Sequence, residues 1–406
     1  MPGPLNSLKV IDMSRVLAGP WAGQLLADYG AEVIKIERPG VGDDTRSWGP
    51  PWLRDSAGNE TKEAGYFQST NRNKRSVTVN LAHPLGQELI RKLVTRSDVL
   101  LENYKVGSLQ RYGLDATTLC ELNPTLIYCS ISAYGQSGSK SGEPGYDALI
   151  QAAGGLMSIT GESDAEGGRP TKVGVAIADI MAGMYAASAV LAALVAREQS
   201  GRGQHIDVPL FDSQVAWLAN QNMNYLLTGT PPDRRGTAHP NIVPYQAFQT
   251  ADGYLMLAVG NDSQFANCCA SLGCPEVAED PRYSANSARI ENRDELIQII
   301  AGRLTGETTA YWLDRFASLH IPAGPINDLA QVFSDPVVAE RRIVRSLNHS
   351  LAGEVPTVAN PVRFSDTPVE YKLAPPVLGQ HTAEVLKDDL GYSDKEIARL
   401  YDSGAI

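Results

Sequence analysis

Three short segments near the start decide the fold: Leu8-Lys-Val-Ile-Asp12, Pro20-Trp-Ala-Gly-Gln-Leu-Leu-Ala-Asp-Tyr29 and Glu32-Val-Ile-Lys-Ile-Glu37. The outer two are β-type runs of strand length. The middle one reads as a helix with Pro20 at its first position, where no backbone donor is needed, and Gly30 as its C-terminal cap. Parallel neighbours need a crossover of this length, so strand, helix and strand form a βαβ unit. The pattern continues outward with a strand over 76–81, a helix over 84–95, and strands over 99–102 and 126–132. Strands separated by helices predict an α/β fold built on a Rossmann-like, doubly wound parallel sheet.

Beyond Tyr146 the character changes. Helices are expected over 146–159 and 177–198, the second with a small-residue face of Ala178, Ala182, Ala186 and Ala187. A short strand over 205–210 and a helix over 213–227 follow, and then a Pro/Gly-rich hinge over 229–236. The segments 245–250 and 254–259 flank Ala251-Asp252-Gly253, a hairpin signal, and helices are expected over 263–271, 293–304 and 308–318. This places a smaller α+β domain over 229–325, inserted into a large domain of 1–228 plus 326–406. The helical tail over 379–406 packs back on the large domain.

The 406 residues carry a net charge of −11, which excludes a general nucleic-acid or anionic-membrane partner. An anionic ligand therefore needs a local basic cluster. The first residues lack a basic and then apolar pattern, so no secretory signal is expected. The apolar stretch 173–196 is interrupted by Asp179 and reads as a helix buried in protein. Five cysteines without a Cys-x-x-Cys pair suit a reducing compartment, and a cytoplasmic location is expected.

Gly19-Pro20-Trp21-Ala22-Gly23 stands where a dinucleotide fold carries its glycine fingerprint, and that fingerprint is absent. NAD and FAD are disfavoured, there is no phosphate-binding P-loop, and the six histidines have no metal-ligand spacing. In open α/β sheets ligands bind beyond the carboxyl ends of the strands. The residues there are Val16, Leu17 and Ala18; Arg38; Leu81 and Ala82; and Asn103, Tyr104 and Lys105. Arg111 follows Lys105 by six residues. Arg38, Lys105 and Arg111 together suit a large phosphate-bearing ligand, whereas each alone is equally well a solvated surface cation. Arg72, Lys74 and Arg75, before the third strand, read as structural. Asp179 lies in the apolar run Val175-Ala-Ile-Ala-Asp-Ile-Met-Ala-Gly183, where an unpaired carboxylate is costly. It is either the N-cap of the long helix or a nucleophile held at a helix start, and the two roles are compatible.

The sequence resembles the class III CoA-transferases, the CaiB/BaiF family, along essentially its whole length. The resemblance rests on Val10-Ile-Asp-Met-Ser-Arg-Val-Leu-Ala-Gly-Pro20, Gly30-Ala-Glu-Val-Ile-Lys-Ile-Glu-Arg-Pro39 and Asn71-Arg-Asn-Lys-Arg-Ser76. It continues through Glu102-Asn-Tyr-Lys105, Pro144-Gly-Tyr-Asp147, Ala178-Asp-Ile-Met-Ala-Gly183 and Gly201-Arg-Gly-Gln204, and ends with Ile321-Pro-Ala-Gly-Pro325 and Leu378-Gly-Gln-His-Thr382. It implies Asp179 as the catalytic aspartate. It also implies CoA contacts from Val16, Ala18, Arg38, the turn of Val79, Asn80, Leu81 and Ala82, then Asn103, Tyr104, Lys105 and Arg111. An interlocked homodimer is implied as well, with CoA thioesters and carboxylic acids as substrates and no tightly bound cofactor or metal. The expected reaction runs through an aspartyl mixed anhydride and an aspartyl-CoA thioester, with amides at the start of the Asp179 helix stabilising the oxyanion.

Racemases of that family pair the aspartate with the histidine of a Gly-His-Asp triplet; here the triplet is Gly145-Tyr146-Asp147. That favours transfer over an acyl-CoA racemase or epimerase, and the presence of Asp179 favours it over a CoA-binding protein without turnover. Ala82 stands where family members carry a lysine, and His239-Pro-Asn-Ile-Val-Pro-Tyr245 replaces the glycine-run loop of the formyl-CoA type. Tyr146, His239, Asn241 and Tyr245 are the expected acyl-pocket residues, for small dicarboxylates such as succinate.

Overall fold

The computed structural model describes residues 1–406 and divides them into two compact units. The first comprises Met1–Leu156, Val173–Met223 and Ala339–Ile406, and the second Met157–Lys172 and Asn224–Val338. The second is larger than the 229–325 insertion expected from sequence. The excursion 157–172 joins it through contacts between distant residues: Gly236 N donates to Gly161 O (2.9 Å), and Arg234 pairs with Asp164.

The first unit holds β1 (Lys9–Asp12), α1 (Ala18–Asp28), β2 (Glu32–Glu37), β3 (Lys74–Thr78), α2 (Pro84–Val94), β4 (Val99–Glu102) and α3 (Ala116–Leu122). It continues with β5 (Ile127–Ser132), α4 (Asp147–Ala153), α5 (Ile177–Ser200), β6 (His205–Pro209) and α6 (Leu210–Trp217). The six strands lie in the order β3-β2-β1-β4-β5-β6, all parallel. This is the dinucleotide-fold order, which reverses between β1 and β4 and leaves a crevice beyond their carboxyl ends. Alternate strand residues feed two cores. Val10, Val99, Leu101, Ile127, Cys129 and Ile131 face α1 and α5, while Ile11, Ile34, Ile36, Val77, Leu100 and Tyr128 face α2 and α3. By length and mean hydropathy (1.7) α5 is apolar enough to cross a membrane. Here its Ala178, Ala182, Ala186, Ala187, Val190 and Ala193 are buried in the core shared with α1. A Cβ on Gly183 would lie 2.5 Å from Ala18 O, so only glycine permits this approach of α5 to α1.

Several boundaries differ from the expected ones. The third strand begins at Lys74 and ends at Thr78, not at 81, because Asn80 N turns away to Ala405 O (2.8 Å). Pro20 occupies the third helical position, still within the turn whose amides need no helical partner. The helix expected over 146–159 breaks at Gly154-Gly155, with Gly155 at φ +85°. The one over 213–227 begins earlier, at Leu210, and breaks at Ala219, before the next helix, Asn220–Thr228.

The second unit carries an antiparallel sheet of β7 (Tyr245–Gln249), β8 (Tyr254–Ala258) and β9 (Ala323–Pro325), with β8 central. Around it lie α7 (Asp262–Ser271), α8 (Arg293–Leu304) and α9 (Thr309–Ser318), closed on Phe248, Leu255, Phe265, Leu296, Trp312 and Phe316. In the first unit's tail, α10 (Thr382–Asp388) and α11 (Asp394–Asp402) bury Leu386, Ile397 and Leu400 against Leu89 of α2.

Candidate active site

A cleft of about 270 Å³ opens at the switch point, walled by Arg15, Val16, Leu17 and Ala18 after β1, and by Asn103, Tyr104 and Lys105 after β4. Ile131–Ala133 at the end of β5, the loop 141–146, Leu210 and Asp179 complete it. A second cleft of about 260 Å³ shares Arg15, Asp44 and Tyr104 with the first and adds Lys35, Arg38 and Gly42. The two adjoining clefts thus collect three cations for an anionic ligand on this acidic chain, Arg38, Lys105 and Arg15, the last paired with Asp44 (2.9 Å).

The Arg15-Val16 turn is strained and held from below. Val16 has φ +70°, a conformation that costs a β-branched residue on the order of 1–3 kcal/mol. Its amide donates to Asp43 Oδ1 (3.2 Å). Asp43 Oδ2 in turn accepts from Lys35 Nζ (2.9 Å), which also donates to Ser14 O (2.9 Å). From the other side Asn103 clasps Arg15: its Oδ1 accepts Arg15 N (2.8 Å) and its Nδ2 donates to Arg15 O (2.7 Å). The loop after β4 is fixed by Glu102, whose buried carboxylate accepts Tyr104 N (2.8 Å). Burial pushes Glu102 up to about 7.

Asp179 is the third residue of α5, and the N-cap position is Ala176, which has no capping side chain. The N-cap alternative for Asp179 is therefore overturned. The cap is supplied from α4: Asp147 Oδ1 accepts Ala178 N (2.8 Å), and Gln151 Nε2 donates to Asp147 Oδ2 (2.7 Å). With Ala178 N taken and Ile177 N bonded to Val175 O (2.9 Å), those two amides are not oxyanion donors. The Asp179 carboxyl is pushed up to about 7, by burial first and then by the charge of Asp147. A carboxylate with no cation against it, in a cleft and poised near neutrality, has the character of a nucleophile or base.

The expected site residues divide. Val16, Ala18, Asn103, Tyr104, Lys105, Tyr146 and Asp179 line one cleft, and Arg38 lines the adjoining one. Val79 does not reach either: it is 1% exposed in the core under α2. Asn80 is spent on the chain terminus, donating to Gly404 O (3.1 Å) and accepting from Ala82 N (3.1 Å). Arg111, in a 3-10 turn over Gln110–Tyr112, lies over the ring of Tyr112 (4.5 Å) and walls neither cleft. His239, Asn241 and Tyr245 cluster in the second unit, where the His239 ring lies 5.2 Å from Tyr245 and Asn241 N donates to His239 Nδ1 (3.1 Å). Arg72, Lys74 and Arg75 form ion pairs with Asp28, Asp12 and Asp389. Missed from sequence were Arg15, Asp147, Gln151 and Tyr66. Burial raises the Tyr66 phenol, and so do the charges of Asp179, Asp147 and Asp43. Asp147 sits beside Tyr146, and Gln151 follows it by four residues, the one spacing that signalled the pair.

The model of the family described as CoA-transferase family III matches residues 5–382. The chain belongs to CoA-transferase family III. Within it, the succinate–glutarate CoA-transferase of Agrobacterium fabrum is 49% identical over 385 residues, 95% of either chain. The human succinyl-CoA:glutarate CoA-transferase is 43% identical over 403 residues, covering 99% of this chain and 90% of that one. The crystal structure of a CAIB/BAIF family protein from Brucella suis matches with a TM-score of 0.82 at 45% identity, over 95% of this chain and 99% of its own. The chain is thus a CoA-transferase, with acyl-CoA and carboxylate substrates.

Proposed function

We propose that the protein moves CoA from succinyl-CoA to a second small dicarboxylic acid of the glutarate type, with Asp179 as the covalent nucleophile. The observation that carries this is the Asp179 carboxyl, walled into the switch-point cleft and poised at about 7 without a cation against it. The basic residues Arg15, Lys105 and Arg38 along the adjoining clefts support a phosphate-bearing ligand there. The names of the relatives support the dicarboxylate pair.

An Asp179 oxygen attacks the donor thioester carbon, and the C–S bond breaks to release CoA thiolate and leave a mixed anhydride. The thiolate attacks the aspartyl carbonyl carbon. The donor acid leaves with the bridging oxygen, and Asp179 becomes a CoA thioester. An acceptor carboxylate oxygen then displaces the thiolate to form a second anhydride, and the thiolate takes its acyl group, restoring the Asp179 carboxylate. The anhydride keeps the group-transfer potential of the thioester, which a serine ester would lose. The α-carbon is untouched, and Tyr146, with the histidine of the racemase triplet absent, lines the cleft 67% exposed. We further place the enzyme in the cytoplasm as a homodimer. Leu226, Leu227 and Leu329, 70%, 78% and 74% exposed, are the kind of apolar surface that a second chain covers.

The test is a donor–acceptor panel read by mass spectrometry of the CoA products, run in deuterated water. Succinyl-CoA plus glutarate should yield glutaryl-CoA without α-deuterium, and Asp179→Ala should yield none. Deuterium at the α-carbon of a 2-methylacyl-CoA without an acceptor, with no transfer across the panel, would turn the assignment to an epimerase.

A further inference from the structure

The start of α5 has no capping residue of its own. The run Val175-Ala176-Ile177 offers no side-chain oxygen to the first free amides, and the cap position shows no side-chain hydrogen bond. Besides the local bond from Ile177 N to Val175 O (2.9 Å), this turn is held by side chains of α4, 22 to 31 residues earlier in the chain. Asp147 Oδ1 takes Ala178 N at 2.8 Å in a buried bond. Gln151 takes Val173 N on its Oε1 (2.9 Å), and its Nε2 donates to Asp147 Oδ2 (2.7 Å) and, at 3.4 Å, to Val175 O. Asp147 is 9% exposed, and Gln151 is fully buried. The residue after the clasped amide is Asp179.

We infer that Asp147, oriented by Gln151, is a positioning residue for the transfer reaction: it caps from outside the helix that carries Asp179, through the amide next to that residue. This rests on the reading of Asp179 as nucleophile. The clasp fixes the backbone on which the Asp179 side chain must present one carboxyl to a thioester, a thiolate and an acid in turn. Its charge has a second effect. Repulsion between carboxylates disfavours the ionised form of Asp179, and so favours every neutral form of that carboxyl, the anhydride and the CoA thioester included. The carboxylate that attacks is therefore raised in energy relative to the acyl-enzyme it becomes. The other charged and titratable groups on the cleft are Arg15, Lys105, Asp44, Glu143, Tyr104 and Tyr146, with Tyr66 within electrostatic reach. Asp147 is the one group besides burial that acts appreciably on Asp179.

Two variants of the full-length enzyme separate cap from charge. Asp147→Asn keeps an acceptor for Ala178 N, since asparagine caps as well as aspartate does, and removes the charge together with the acceptor for Gln151 Nε2. Asp147→Ala removes both. The readouts are the pH profile of kcat/KM for succinyl-CoA with glutarate, kcat and KM taken separately, and the intact mass of the enzyme–CoA thioester. The parent should lose activity as pH falls through about 7, where Asp179 takes up its proton. In Asp147→Asn this acid limb should move to lower pH by about half a unit or more, with the plateau reduced a few-fold and less enzyme held as the thioester. In Asp147→Ala kcat should fall about 10- to 100-fold with KM for succinyl-CoA within about threefold of the parent. An unmoved limb in Asp147→Asn, or a raised KM at parental kcat in Asp147→Ala, would overturn the inference. If Asp147→Ala does not fold, the limb in the near-isosteric Asp147→Asn decides. Loss of the reading on which this rests would appear elsewhere, as transfer that survives Asp179→Ala.

Discussion

Two groups of carboxylates lie at the carboxyl edge of one sheet, and their environments drive them apart. Under β1, β2 and β3, Asp12 meets Lys74 (2.8 Å), Asp43 meets Lys35 (2.9 Å) and Glu37 meets Arg46 (2.7 Å), with all six side chains buried. Burial alone would raise these acids, but the cations outweigh it and hold Asp12, Glu37 and Asp43 below the ordinary carboxylate range. At the start of α5 the pairing is reversed. Asp179 has no cation paired with it, so burial and the charge of Asp147 act in the same direction and raise it. The residue type is the same, and the partner decides whether it is scaffold or reagent. The paired group also serves the unpaired one, because Asp43 and Lys35 hold Val16 in its strained turn on the wall of the cleft that Asp179 enters.

The widest difference between the two groups should appear on removing one acid. Asp179→Ala should cost about 10⁴-fold or more in transfer while CoA binding survives, as a nucleophile deletion does. Isothermal titration with CoA alongside a turnover assay measures both, and turnover near the parental rate would erase the distinction. On the paired side the damage should be to folding. Lys35→Met strands Asp43 and Ser14 O in the interior and should cost roughly 3–5 kcal/mol in urea unfolding, against a negligible cost if the network were merely solvated.

Smaller effects sharpen the boundary of the clefts. Lys105→Ala and Arg38→Ala should each weaken CoA-thioester binding by about 1 kcal/mol, less at high salt. Arg111→Ala, outside both clefts, should weaken it less; equal losses from all three would return Arg111 to the site. The smallest expected effect has the less usual sign. The folded pKa of Asp179, about 7, lies above its ordinary 3.8, so the folded chain holds a proton that the unfolded chain has released. Stability is lost as pH rises from about 4 through 7. Asp179→Asn should therefore raise Tm, by about 2–4 °C, with a larger gain at pH 8 than at pH 5. Calorimetry at the two values reads it, and a gain independent of pH would remove the burial argument.

Sequence by itself determined the parallel sheet, most of the residues gathered at its carboxyl edge and the prominence of Asp179. The first two follow from patterns local to each element, strand length, helix period and the turns between them, and an isolated acid in an apolar run is visible by contrast. The family resemblance added the chemistry. Tertiary structure decided what depends on residues far apart in the chain. Val79 entered the core and Asn80 turned to the C-terminal residues, contacts across more than 300 residues that no local pattern carries. Arg111 lies over the Tyr112 ring, outside both clefts. Above all, the cap on α5 came from Asp147, 31 residues away, and with it the like charge that raises Asp179. A propensity scale sees Ala176 at that position and predicts a poor helix start. Only the packing of α4 against α5 brings a carboxylate to the open amide, because hydrogen bonds and Coulomb forces depend on distance in space and not on separation along the chain.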